Sequence, residues 1–276
     1  MKTLQSVLTL VGLLAALPVS AGSKNIILSD SLLANADKWD VKQGTQWLGI
    51  HKWRFGDYAV VASKLSGTHT DSDTNFFKTK TARRTWNEFS FVLCNKTNDS
   101  AFVRAAHENT SRSNPGLHLG HGLTVGGDDR TVEADRFVAS IMVHGDTTET
   151  WELSIGYSEV SYRHGDEGEG SHEATLTSGE RRIALNQVLS KKYDKPPSML
   201  SMALRPPAMG YEFVEDGRSL CAVEYLSTAL AGPLKNTVWM NRNLDPRMQL
   251  ILAAAMTAVL ELEAEAALAP AETDEK

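Results

Sequence analysis

Phe89-Ser90-Phe91-Val92-Leu93-Cys94 sets Phe89, Phe91 and Leu93 on one side of an extended chain, with smaller residues on the other. Phe137-Val138-Ala139-Ser140-Ile141-Met142-Val143 and Trp151-Glu152-Leu153-Ser154-Ile155-Gly156-Tyr157 repeat that alternation. Working outward, Tyr58 to Leu65, Ala101 to Ala106, Met199 to Leu204, Tyr211 to Val214, Leu220 to Leu226 and Val238 to Met240 read the same way. Short period-two runs separated by Gly, Asn and Asp clusters predict an all-β chain from about residue 45 to 241. The expected fold is an antiparallel β-sandwich or open barrel of about ten to fourteen strands.

Glu215-Asp216-Gly217-Arg218 is the clearest turn, because Asp-Gly between two alternating runs favours a two-residue hairpin. Two polar, Gly-containing stretches, His107 to Asp135 and Arg163 to Glu173, read as long loops, and Lys191 to Pro197 as a third break. After the strands comes a helix expected over 246–262. Asp245 suits its cap and Pro246 its first turn. Met248, Ile251, Leu252, Ala255, Met256, Val259 and Leu262 recur at helical spacing and predict one apolar face packed on the sheet or over an open edge. Residues 263–276, rich in Ala and Glu, read as a disordered acidic tail.

At the other end, Lys2 precedes an apolar run from Leu4 to Leu17, and Val19-Ser20-Ala21 supplies small residues for cleavage. Residues 1–21 thus read as a secretory leader, too short to span a bilayer, and 22–260 as one β-rich domain. The expected location is periplasmic or extracellular. The formal charge of −6 argues against nucleic acid as a partner, which rewards a basic surface. In an oxidising compartment Cys94 and Cys221 can form a disulfide; the alternative is two reduced, buried thiols. The triplets at Asn95, Asn98 and Asn109 match the glycosylation pattern and matter only in a host that glycosylates its exports.

Candidate sites are diffuse. His118 and His121, with His107 upstream and Asp128 and Asp129 downstream, are zinc-type ligands, although positions 118 and 121 of a strand would face opposite sides. Asp166, Glu167, Glu169 and Glu173 carry oxygen ligands of the calcium type without the spacing of a known calcium loop. Exposed loop histidines are the commoner reading of the first group, and a solvated hairpin tip explains the second equally well. Glu149 and Glu152, or Asp128 with Glu152, are the nearest approach to a glycosidase carboxylate pair. Trp47, Trp53, Trp86 and Trp151 are candidate sugar-stacking residues, against the commoner fate of Trp in a β core. Trp86 follows Arg83 and Arg84, which suits a cation–π pair.

Phe55-Gly56-Asp57-Tyr58, the Phe89 to Cys94 strand, Gly210-Tyr211-Glu212-Phe213 leading to Cys221-Ala222-Val223-Glu224, and Val238-Trp239 before an Ala-rich helix resemble a loose group of bacterial exported β-rich proteins and lipoproteins with no assigned activity. The resemblance implies an envelope location and a β-rich fold, and transfers no catalytic residue. The expected function is a non-enzymatic binding or structural protein of the envelope, with an envelope protein or polysaccharide as partner. The alternative is an envelope hydrolase, metal-assisted or polysaccharide-acting, built on His107, His118 and His121. A third expectation is a helper for another exported protein, docking through an exposed stripe on the terminal helix.

Overall fold

A computed structural model describes residues 26–44, 49–74, 80–113, 117–118, 124–125, 130–145, 149–162, 169–189, 209–225 and 236–268. A short helix, α1 (Asp30–Asn35), leads into β1 (Ala36–Asp40) and β2 (Lys42–Gly44). Then follow β3 (Lys52–Phe55), β4 (Tyr58–Leu65), β5 (His69–Thr74), β6 (Thr81–Cys94) and β7 (Ser100–Ser113). A two-stranded ribbon, β8 (Leu117–His118) with β9 (Thr124–Val125), precedes β10 (Arg130–Val143), β11 (Thr150–Tyr162), β12 (Glu169–Ser178) and β13 (Arg181–Leu189). The chain continues through β14 (Met209–Glu215), β15 (Arg218–Tyr225) and β16 (Thr237–Asn241) to the long helix α2 (Pro246–Leu268).

Fourteen strands form one antiparallel sheet, largely a meander from β3 to β16. Its two ends are consecutive pieces of the same backbone. β1 pairs with β16 from Ala36↔Asn241 to Asp40↔Thr237, and β2 pairs with β3 from Lys42↔Arg54 to Gly44↔Lys52. Between them the Val41 N–H donates to the Asn236 carbonyl at 2.9 Å. The sheet therefore curls into a nearly closed barrel, which leaves few unpaired edges. Of the two architectures expected, the barrel is the one found. The Asp216-Gly217 turn also forms as expected: both residues have positive φ, 48° and 74°, between β14 and β15.

The terminal helix fills this barrel. Leu250 to Glu261 are buried without a break, twelve consecutive residues covering every azimuth of more than three turns. A helix laid on the outside of a sheet, or over its edge, would leave one side wet. The helix packs on the sheet as expected, and does so on its inner face; only the expectation of a single apolar side is corrected, to a helix apolar all round and enclosed. Ala253, Ala254, Ala255 and Ala258, each with no exposed surface, keep it slim. It lies against β7, β10 and β15. The inward row Phe89–Ala105–Ala139–Leu153 places small residues on β7 and β10, where the helix approaches, and large ones to either side. Asp245 caps the helix, its Oδ1 accepting from the Met248 N–H at 2.9 Å.

β15 is buried from Ser219 to Tyr225 with no alternation, because both its faces are covered. Inside lies α2. Outside, Ile26, Leu28 and Leu32 pack on Ala222 and Trp239. Ser29 ties this strap down by donating to Glu212 Oε1 at 2.6 Å while its own hydroxyl accepts from the Leu32 N–H.

Several expectations are corrected. The stretches read as loops are partly strand: β7 runs to Ser113, β10 starts at Arg130 and β12 at Glu169. These ends carry residues such as Thr110, Arg112, Thr131 and Glu133, so hydrophobic alternation fades while the ladder continues. The helix extends to Leu268 rather than 262, which leaves 269–276 of the expected tail outside the described residues. Both cysteines are free. Cys94 lies on the outward side of β6, and Cys221 is fully buried on β15, inside the barrel core. β7 and β10 to β14 separate the two strands. A disulfide needs Cα atoms within about 7 Å. The predicted leader (1–21) and the Met199 to Leu204 strand lie outside the described residues. Among the described residues no helix is long and apolar enough to cross a membrane.

Candidate functional site

The barrel has two unlike ends. α2 starts at the end carrying the β10–β11 turn, where Arg247 pairs with Glu149. It ends at the opposite mouth, where Glu261, Glu263 and Glu265 follow directly on the apolar run. Glu261 and Glu265, four residues apart, share one face of the helix, while Glu263 points to the opposite side and meets another part of the barrel wall.

Glu261, with no exposed surface, faces the residues leading into β3. Its Oε2 accepts from Trp53 Nε1 at 2.7 Å and from the His51 N–H at 3.2 Å. The His51 ring nitrogen Nδ1 stands 3.1 Å from the same oxygen. Glu265 accepts from Asn87 Nδ2 of β6 at 2.9 Å, while its second oxygen and Asn87 Oδ1 have no hydrogen-bond partner among the described residues. Glu263 meets Tyr225 of β15, and Tyr225 in turn meets Tyr211 of β14. Tyr211 reaches the rim, its hydroxyl 3.0 Å from His172 Nε2 on β12, with the two rings stacked. Beside them His107 on β7 and Asp135 on β10 form a pair, Nε2 to Oδ1 2.7 Å.

Burial dominates the electrostatics of the mouth. It pushes the Glu263 carboxyl up to about 7, against the opposing hydrogen bond from Tyr225. It also raises Glu265, despite the hydrogen bond from Asn87. Burial holds the Tyr211 phenol up to about 12 and raises Tyr225 further. For His107 burial works against the charged ring, but the bond to Asp135 and the nearby Glu265 and Glu263 outweigh it and raise its value. The helix adds to this. Its C-terminal end is the negative end of its dipole and has no basic residue in the last turn, so protonated acids and a charged histidine suit the place.

The candidates read from sequence are scattered. His107 alone of the histidine group comes into this mouth. His118 contributes its backbone to β8 and its side chain is outside the described residues, as are His121 and Asp128. Among the described residues no cluster of three or more His, Cys, Asp or Glu is arranged to hold a metal ion. Of the calcium-type acids, Glu173 is exposed and pairs with Arg182 at 2.8 Å, and Asp166 and Glu167 are outside the described residues. Glu152 is exposed on the outer face, away from Glu149 and its Arg247 partner.

Trp53 and Trp151 are interior, each 1% exposed, so neither offers a ring face to a sugar. Trp86 is half-buried between His69, stacked at 5.4 Å, and Arg84, whose guanidinium lies 5.2 Å from the ring as the sequence suggests. Trp47 is outside the described residues. On the outside of the barrel, Ala62, Val92, Phe102 and Met142 stand in register across β4, β6, β7 and β10, with Val61 beside them. Val61, Phe102 and Met142 are exposed, which makes this row an apolar strip on the described outer wall. The helix stripe expected to serve as a docking face is enclosed: Met248, Ile251, Leu252 and Val259 are all buried.

Sequence reading passed over His51, Glu261, Glu263, Glu265, Tyr211 and Tyr225. One signal was available: acids at 261, 263 and 265, adjoining a helix apolar on every side, must find partners inside the fold. Compared with known proteins, the chain matches no family model, and neither a curated protein nor a solved structure shows significant similarity.

Proposed function

We propose that the chain is an exported, non-enzymatic binding or structural protein of the bacterial envelope, with the barrel as its scaffold. The observation that carries this reading is the occupied interior. A barrel of this size can hold a ligand at its centre, but here the chain's own helix takes that space, so recognition falls to the outer wall and the rim. The in-register row of Ala62, Val92, Phe102 and Met142 is the face offered to a partner. Polysaccharide or an envelope protein fits an apolar strip flanked by the Arg104–Glu88 pair, which supplies polar groups at its border.

Co-sedimentation with purified envelope polysaccharide, and with stripped envelope fractions, tests the reading. The expected result is retention of the wild type and loss of about tenfold or more with Phe102→Asp and Met142→Asp together, at unchanged circular dichroism. Failure of the wild type to sediment with either fraction refutes it. A hydrolase is the second reading, favoured by the His107–Asp135 pair, which has the geometry of a general base and its orienting carboxylate. Release of soluble sugar from the same polysaccharide, lost in His107→Gln, would replace the first reading with this one.

A further inference from the structure

The polar mouth has a property that the proposed binding role does not use. Glu263 sits on the last turns of α2, in a mouth lined largely by ionisable groups, with Tyr225, Asp135 and His107 nearest to it. On its own helix are Glu261 and Glu265. Across from it, β10 presents Asp135 and β7 presents His107. Tyr225 and Tyr211 come from β15 and β14, and His172 backs Tyr211 from β12. His51, leading into β3, holds Glu261, and Asn87 of β6 holds Glu265. No lysine or arginine is among these groups, so four carboxylates share one mouth with histidines as the only cationic partners among the described residues named above.

We propose that this mouth is a pH-operated latch on the barrel's own helix: protons on Glu263, Glu265 and His107 seat the last two turns of α2, and their loss as the medium turns alkaline releases them. At acid pH a neutral Glu263 lies against Tyr225, and a charged His107 balances Asp135. At alkaline pH Glu263 and Glu265 ionise beside Asp135 and Glu261 while His107 loses its charge. Repulsion then grows where the helix dipole is itself negative. Beyond Glu261 the helix gives the core only Leu262 and Ala264, Glu263 and Glu265 are half-buried and Ala266 is exposed, so the end can leave with little loss of packed surface. Glu261, sealed and bonded to Trp53 and His51, marks where release stops.

The direction follows from linkage. Between pH 4.5 and about 7 the seated end keeps a proton on Glu263 that a released end would give up, so raising the pH works against seating. His107, also raised, acts in the same direction as the pH passes through its folded value.

Hydrogen exchange of the full chain, corrected for intrinsic rates, tests the latch. Amides of residues 262–268 should be protected at pH 5 and lose about tenfold or more of that protection by pH 8. Residues 250–256 should stay protected at both. In Glu263→Gln/Glu265→Gln the end should remain protected at pH 8. Glu263→Gln alone carries the same expectation at smaller size, so the test survives if the double variant fails to fold. Equal protection of the wild-type end at both pH values overturns the proposal, as does a foldable glutamine variant that loses protection as the wild type does.

Discussion

Replacing Glu261 by alanine should be among the most damaging single changes in the chain. The carboxylate is wholly buried, and its Oε2 is the acceptor for two fixed donors, Trp53 Nε1–H and the His51 backbone N–H. Alanine strands both in a dry interior. Each orphaned donor costs about 1–3 kcal/mol, and the space left by the lost atoms adds to that. The sum is about 3–7 kcal/mol, a large part of the roughly 5–15 kcal/mol typical of a folded domain. Glutamine behaves differently. With its oxygen in the Oε2 position it accepts from Trp53 and from the His51 amide, and its NH2 group then faces His51 Nδ1, which can accept in one neutral tautomer. Glu261→Gln should therefore cost less than about 1.5 kcal/mol. Urea unfolding followed by tryptophan fluorescence at pH 6 measures both. Near-equal losses for the two variants, or an alanine variant within about 1 kcal/mol of wild type, would refute the reasoning that the donors at Trp53 and His51 depend on this acceptor.

Four further outcomes are expected. Global stability should be greater at pH 5 than at pH 8, by about 2 kcal/mol or more. Glu224 on β15, pushed by burial to about 7 despite Thr237 and Lys38, loses favour as the pH rises, and Glu263 does the same. Glu224→Gln should flatten the profile in denaturant titrations, and an unchanged slope would contradict this. Leu252→Ala, at a residue with no exposed surface against the barrel wall, should cost about 2–5 kcal/mol in the same assay. Gly210→Ala should destabilise, since a Cβ there meets the Val223 carbonyl oxygen at 2.1 Å and Ile26 Cδ1 at 2.9 Å, and a thermal melt at or above wild type would count against the strap over β14. A thiol reagent should titrate one cysteine of the native protein, Cys94, and a second only in denaturant, because burial raises the Cys221 thiol well above its ordinary value and shields it.

What the sequence made legible was the part of each strand that faces the core. Phe89–Phe91–Leu93 and Trp151–Leu153–Ile155 alternate because one side packs on α2 and the other meets solvent. Where a strand outruns the helix, as at Thr110 to Ser113, nothing apolar is required and the pattern vanishes although the hydrogen bonds continue. Where both faces are covered, as on β15, alternation is replaced by a solid apolar run. The helix was visible from its Asp245 cap and its periodicity, but not its position. Leu250 to Leu260 are apolar on all sides, and only that completeness distinguishes an enclosed helix from one lying on a sheet. The mouth was illegible for a different reason. Its members come from six strands, one connection and one helix, and no local spacing records that Glu263, Tyr225, Tyr211 and His172 will meet.

Everything rests on α2 lying within the barrel. Single cysteines placed in turn at Ala253, Ala254, Ala255 and Met256, in a background with Cys94 and Cys221 replaced by serine, sample every side of the helix. With the helix enclosed, a maleimide should leave all four unmodified in the native protein and label all four in urea. Rapid native labelling at any one of them, in a variant that keeps its fold, would place that side of the helix in water and contradict the account.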